Sequence, residues 1–173
     1  MKTNRRIIIT LIVSLMIANV QAQQASPPSS STGVGFRFGF QSGITLKHFI
    51  SEKRAWEGIA TFNDHGFAAI ALYEIHQPIQ DIANLDWFYG IGAHAGIYNH
   101  YYKYKYIYYY DQYYETRYVT SYPSLGVDGI IGIEYKIKEI PFTLELDIKP
   151  AMDILNPYFS FLEGAVSVRY LIK

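Results

Sequence analysis

A chain of 173 residues with 15 basic and 15 acidic side chains suits one domain and carries no excess charge to draw it to nucleic acid. Half of its residues are hydrophobic and 17% are charged, yet past the first 22 residues no apolar run is long enough for a transmembrane helix. It has no cysteine, which excludes disulfides, thiol catalysis and a cysteine-linked lipid anchor.

Residues 1–22 have the form of a signal peptide. Lys2, Arg5 and Arg6 make a basic start, Ile7–Val20 is a mostly apolar stretch too short to span as a helix, and Val20-Gln21-Ala22 offers small residues at a cleavage site. Cleavage after Ala22 leaves 12 basic and 15 acidic residues. Residues 23–32 (QQASPPSSST) show no apolar periodicity and are expected to form a flexible tail before a domain over residues 33–173.

From Gly33 onward the period is two, the mark of strands. Val34, Phe36, Phe38 and Phe40 alternate with Gly35, Arg37, Gly39 and Gln41, and Ser42-Gly43 turns the chain. A second strand, Ile44–Ile50, sets Ile44, Leu46, His48 and Ile50 against Thr45, Lys47 and Phe49, and its facing is open. After the polar turn Ser51–Arg54, the third strand places Trp56, Gly58, Ala60 and Phe62 opposite Ala55, Glu57, Ile59 and Thr61. Beyond Asn63–Gly66, the fourth sets Phe67, Ala69, Ala71, Tyr73 and Ile75 against Ala68, Ile70, Leu72, Glu74 and His76. A loop over Gln77–Leu85 leads to a fifth, with Trp87, Tyr89, Ile91, Ala93, Ala95 and Ile97 facing away from Phe88, Gly90, Gly92, His94 and Gly96. The sixth carries Leu125, Val127, Ile131, Ile133 and Tyr135 on one face and Gly126, Asp128, Ile130, Gly132 and Glu134 on the other. Past the turn Lys136–Pro141, the seventh sets Phe142, Leu144, Leu146 and Ile148 against Thr143, Glu145, Asp147 and Lys149. A loop is expected over Pro150–Pro157, and the eighth strand sets Val166, Val168, Tyr170 and Ile172 against Ala165, Ser167, Arg169 and Leu171.

Eight alternating strands suit an up-and-down antiparallel barrel that crosses an outer membrane. Three features set the polar face inward. Glycines such as Gly35, Gly90, Gly126 and Gly132 weaken a solvated strand but fit the narrow lumen of an eight-stranded barrel. The charges on that face are of both signs, so a lumen network is expected of Arg37, Glu57, Glu74, His94, Asp128, Glu134, Glu145, Asp147, Lys149 and Arg169. Aromatic residues of the apolar face fall near strand ends, as two girdles: Trp56, Tyr73, Trp87, Tyr89, Tyr135, Phe142 and Tyr170 at one, Phe40, Phe62 and Phe67 at the other.

Between the fifth and sixth strands lies Tyr98–Tyr122, with 12 of the 17 tyrosines. It is expected outside the cell, either as a protruding hairpin turning near Asp111-Gln112, as a low-complexity loop, or as a segment resting on lipopolysaccharide. A hairpin turning there would pair Tyr110 with Tyr113, Tyr108 with Glu115 and Tyr106 with Arg117. The surface-binding candidates are Tyr102, Lys103, Tyr104, Lys105, Tyr106, Tyr108, Tyr109, Tyr110, Tyr113 and Tyr114, because tyrosine offers a large contact area at low conformational cost.

The GVGFRFG opening, GITLKHFISEKRAWEG, LYEIHQP, WFYGIGAHAG and the closing AVSVRYLIK resemble the small eight-stranded outer-membrane barrels of Bacteroidetes-type bacteria, similar in architecture to the OmpX/OmpA class. The resemblance covers residues 33–173 outside the Tyr-rich stretch and implies fold and location more than activity.

No catalytic residue, cofactor or metal site is expected. The five histidines include no HxxxH pair, no G-x-S-x-G elbow is present, and His94 is placed near Asp128 or Glu74. The functional expectation is a non-enzymatic, non-conducting barrel, structural or surface-binding through the Tyr-rich arm. Its partners would be outer-membrane lipid, the barrel-insertion machinery and an extracellular protein or glycan, with no nucleic acid, and a monomer is expected. Two alternatives stay open: a lipid-modifying barrel enzyme using lumen polar groups, and a soluble lipocalin-like carrier with apolar faces inward.

Overall fold

The computed structural model describes residues 31–63, 66–109, 112–155, 159–160 and 163–172. The expected signal peptide and residues 23–30 of the expected tail lie outside these. Ser31 and Thr32, expected in the tail, open the first strand instead, because Thr32 pairs with both His48 and Ile172.

Ten β segments follow in order: β1 (Ser31–Gly39), β2 (Gly43–Ser51), β3 (Arg54–Asn63), β4 (Gly66–Pro78), β5 (Leu85–Tyr109), β6 (Gln112–Lys136), β7 (Phe142–Ile148), β8 (Ala151–Asp153), β9 (Phe159–Ser160) and β10 (Gly164–Ile172). All pairings are antiparallel, each of β1 to β6 pairs with the next, and β6–β7, β7–β10 and β10–β1 close the ring. β8 prolongs β7 along β6 in one unbroken register, from Ile131↔Ile148 to Asp128↔Ala151. β9 lies beside β8 as β10 lies beside β7, so the ten segments fill eight positions.

The expected loop over Pro150–Pro157 therefore starts too early. Proline removes one donor from the ladder but keeps its acceptor, and Gly129 N donates to Pro150 O at 2.8 Å. That single lost bond does not end a strand whose neighbours, Lys149 and Ala151, remain bonded on either side: Lys149 N donates to Glu163 O at 2.8 Å.

Alternation is kept around the ring. Val34, Phe36, Ile44, Leu46, Ile91, Ile131, Leu146 and Val166 all point outward and are exposed, while Arg37, Glu57, Glu74, Asp128, Glu145 and Arg169 point inward and are buried. The open facing of β2 resolves with Thr45, Lys47 and Phe49 inside. This arrangement is the reverse of what a lipocalin-like carrier needs. One end of the barrel carries the chain termini of β1 and β10 and short turns at Glu52–Lys53, Ile79–Asn84 and Ile137–Pro141. Asp81 and Asn84 take left-handed φ values of 70° and 65° in the second turn, which their short polar side chains tolerate. At the other end β5 and β6 run on together past the rest of the sheet.

Candidate functional site

The lumen is built from the inward residues of every strand. At its centre stand two cations. Arg169 on β10 forks onto Glu145, with Nη1 at 2.7 Å from Oε2 and Nη2 at 2.9 Å from Oε1; its Nη2 also meets Glu57, and its Nε donates to Thr45 Oγ1 at 3.0 Å. Lys47 on β2 contacts Glu145 and lies 2.7 Å from Glu74 and 3.5 Å from Glu57. A bidentate guanidinium and a three-donor ammonium are the groups able to satisfy this many carboxylate oxygens in a water-poor space. Glu134, fully buried, stands 3.6 Å from both Arg169 Nη1 and His76 Nδ1. Oxygens of Glu57, Glu74 and Glu145 lie within 4.8 Å of one another, a spacing that would suit a metal ion. The Lys47 ammonium reaches all three of those side chains, so the chain's own cation takes that position.

Towards the hairpin end lie two further units. Arg37 and Asp147 form a bidentate pair with both bonds at 2.6 Å. Lys149 donates to Asp128 Oδ1 at 2.6 Å and stands 2.9 Å from Glu163. His94 Nδ1 lies 2.7 Å from the other oxygen of Asp128, and His94 Nε2 lies 3.9 Å from Asp153, whose Oδ2 accepts from Ser124 at 2.5 Å. Gln41 bridges Glu163 (3.0 Å) and the Tyr98 hydroxyl (2.9 Å) at the mouth.

Towards the termini, aromatic rings fill the lumen. Phe88 stacks on His76 at 5.0 Å between centroids, and His76 tilts against Phe49 at 5.3 Å. Lys47 lies over the Phe88 ring at 4.5 Å and Lys136 over Phe49 at 5.2 Å, so an ammonium caps each end of the stack. Gly132 makes room for it: a Cβ there would lie 2.7 Å from Phe88 Cζ. A small apolar cluster of Ile59, Ile70, Leu72, Phe88 and Ile130 completes the packing.

All ten residues expected in the lumen network are buried there. His94 reaches Asp128, as expected, and its second partner is Asp153 rather than Glu74. Sequence reasoning missed Lys47 as a hub, His76 as part of the aromatic stack, and Ser124, Asp153 and Glu163 at the mouth. Parity was the available signal for the first two: Lys47 shares its face with Thr45, and His76 shares its face with Glu74.

Above the mouth, the backbone of β5 and β6 forms a hairpin. The expected pairings within it are wrong by two residues at the tip: Tyr109 pairs with Gln112, Tyr108 with Tyr113 and Tyr106 with Glu115. A one-residue irregularity between Lys103 and Tyr106 then resets the register, and Lys103 pairs with Arg117. The side chains of the surface-binding candidates Tyr102, Lys103, Tyr104, Lys105, Tyr106, Tyr108, Tyr109, Tyr113 and Tyr114, and all of Tyr110, lie outside the described residues.

No protein-family model and no curated protein sequence matches the chain. Among solved structures, the barrel is similar to the N-terminal β-barrel domain of Pseudomonas aeruginosa OprF, with a TM-score of 0.57, 9% identity, and coverage of 83% of this chain and 96% of that one. The likeness is one of fold: a closed, eight-stranded, antiparallel up-and-down barrel.

Proposed function

We propose that the protein is an outer-membrane β-barrel with a packed, non-conducting lumen that presents its β5–β6 hairpin at the cell surface as a binding arm. The observation that carries this reading is the inversion of polarity. Large apolar side chains cover the outside on every strand while the charges lie within. A water-soluble protein does not expose a continuous apolar belt of that extent.

The belt has the dimensions of a bilayer core. From Trp87 to Ile97 on β5, ten residue steps of ~3.3 Å at a tilt of ~40° rise about 25 Å, the height of the apolar band in such barrels. Trp56 packs edge-on against Tyr73 at 5.0 Å and Trp87 on Tyr89 at 5.4 Å at the termini end, while Phe62 meets Phe67 at 5.0 Å near the other. Rings at both borders of the band suit headgroup depth. With an even number of strands and both termini on the periplasmic side, the hairpin faces outward. The filled lumen and its aromatic stack support the non-conducting part of the reading.

Two measurements test it. The protein in a membrane fraction should migrate differently on cold SDS gels before and after boiling, and recovery as a soluble periplasmic protein would sink the barrel reading. Deleting Lys103–Thr120 should leave that mobility shift intact and abolish binding to extracellular protein or glycan surfaces. Binding that survives the deletion removes the arm from the proposal.

A further inference from the structure

We propose that the centre of the lumen is a proton-binding site: one proton, shared between the Glu57 and Glu74 carboxyls, is a fixed component of the folded barrel at neutral and mildly alkaline pH.

The charge count requires it. Lys47 and Arg169 are the fixed cations at this height, and they face four carboxylates, Glu57, Glu74, Glu134 and Glu145. Each of these six side chains belongs to a residue no more than 2% exposed. His76 stands between two of the carboxylates, with Nε2 at 3.0 Å from Glu74 and Nδ1 at 3.6 Å from Glu134. Counted as an imidazolium, it makes three cations for four carboxylates; counted as neutral, it leaves two. One carboxyl is in excess in either state. The neighbouring layers lend no cation, because Arg37 is paired with Asp147, Lys149 with Asp128 and Glu163, and Lys136 with Asp86. The two remaining strands bring no charge: on β1, Gly33 lies beside Lys47 and Gly35 beside Arg169, and on β5, Gly90 lies beside Glu74 and Phe88 beside His76. A buried carboxylate without a cation is neutralised by a proton instead.

Geometry places the proton. Both oxygens of Glu145 accept from Arg169, and one also meets Lys47. Glu57 Oε1 accepts from Arg169 and Thr45, and Glu74 Oε2 meets Lys47 and His76. The other oxygens of that last pair, Glu57 Oε2 and Glu74 Oε1, find no donor. Yet the two carboxyls lie within hydrogen-bond reach of each other. Two carboxylates are both acceptors only, so no bond forms between them; a carboxylic acid and a carboxylate form one, and a strong one. Two carboxyl groups this close share one proton because both cannot be ionised together. Glu134 also has oxygens without a donor, but it stands 3.6 Å from the Arg169 guanidinium, which suits a negative charge.

The proton links the fold to pH. In the unfolded chain both glutamates are solvated and ionised above about pH 6. The folded barrel then carries one proton more than the unfolded chain, so its stability falls as pH rises, by a factor of about ten in the unfolding constant per pH unit. That sign is opposite to the acid lability of a salt-bridged carboxylate. Losing the proton would leave two bare carboxylates side by side at the level where Lys47 ties β2 to β3, β4 and β7.

The test uses the mature barrel in lipid vesicles. Infrared spectra at about pH 8, where solvated carboxyls are ionised, should show the band of a protonated carboxyl that shifts when glutamate is labelled with carbon-13. The band should be lost in Glu74→Gln, whose amide donates to Glu57 in place of the acid. Heat-modifiable gel mobility confirms that the variant is folded. No such band in the unmutated barrel, or a band undiminished in folded Glu74→Gln, overturns the proposal. A second measurement stands without the variant: urea unfolding between about pH 7.5 and pH 9, where the unfolded chain's carboxyls and histidines no longer titrate. The unfolding constant should rise at least about tenfold per pH unit, and a constant that is flat or falls overturns the proposal equally.

Discussion

Arg37 and Asp147 offer a clean measurement of what a buried charge contributes in this lumen. Their two bonds, both 2.6 Å, join β1 to β7 across β10, and no other bonded partner is found for either side chain among the described residues. Replacing Arg37 by Met leaves the Asp147 carboxylate, with a side-chain exposure of 0%, without its cation. Breaking a buried pair in this way costs about 3–5 kcal/mol, and Asp147→Leu should cost a similar amount by stranding the guanidinium. The double variant removes both charges and fills the space with apolar groups, so it should lie between neutral and ~1–4 kcal/mol more stable than the original. Single losses of roughly 4 kcal/mol each with no loss in the double variant are grossly non-additive, as two halves of one unit must be. Urea unfolding in lipid vesicles, followed by the fluorescence of Trp56 and Trp87, reads the difference. With a slope of ~2 kcal/mol per molar, each single variant should lower the midpoint by about 2 M. A shift under ~0.5 M in Arg37→Met would mean the pair is hydrated and worth no more than a surface pair. A double variant as weak as the two singles combined would refute the same reasoning.

Two glycines should respond in opposite ways to alanine. Gly132→Ala brings a Cβ to 2.5 Å from Leu146 O and 2.7 Å from Phe88 Cζ and should cost ~1–3 kcal/mol in the same urea assay, whereas Gly58→Ala meets nothing nearer than Leu46 O at 3.9 Å and should be neutral or gain a few tenths. Phe88→Ala removes the fully buried centre of the aromatic stack and should cost ~3–5 kcal/mol; single-channel recording should also find conductance absent from the unmutated barrel. Ile91, 69% exposed halfway up the belt, separates a lipid-facing surface from a wet one: Ile91→Lys should cost ~2–4 kcal/mol in vesicles, and a neutral result would place that face in water.

Strand count, facing and lumen membership were legible because they depend only on parity. Once Gly35, Gly90 and Gly132 share a face with Arg37, Glu134 and Asp128, that face is inside. Parity says nothing about height, however, and height decides partners. Arg169 lies beside Thr143 on β7 in the ladder, yet its guanidinium reaches Glu145, one inward position further along, and Glu57 across the barrel. That reach follows from strand tilt and side-chain length, which no spacing encodes. The hairpin register was missed for a different reason. In a segment where 12 of 25 residues are tyrosine, shifted pairings repeatedly set tyrosine against tyrosine, so composition selects weakly among them. The approach of His94 to Asp153 joins residues 59 positions apart in sequence, on β5 and on a β8 that the sequence presents as loop, so no local spacing shows it.

The exterior of the barrel does little to specify which strand lies beside which, or at what height. Lipid chains are as apolar as the residues they meet, so sliding a strand by two positions exchanges one isoleucine or leucine for another at almost no cost. The lumen behaves otherwise. Sliding β10 by two residues against β7 would take Arg169 from Glu145 and Glu57 and leave buried carboxylates short of a cation, at several kcal/mol for each charge stranded. Lys47 tightens the same constraint, because it ties β2 to β3, β4 and β7 at once. Glycine sets it sterically, since Gly132 must face Phe88 and Gly126 must face His94. A charged interior is therefore the part of the sequence that selects one register, and it accounts for the central carboxylates without assigning them chemistry.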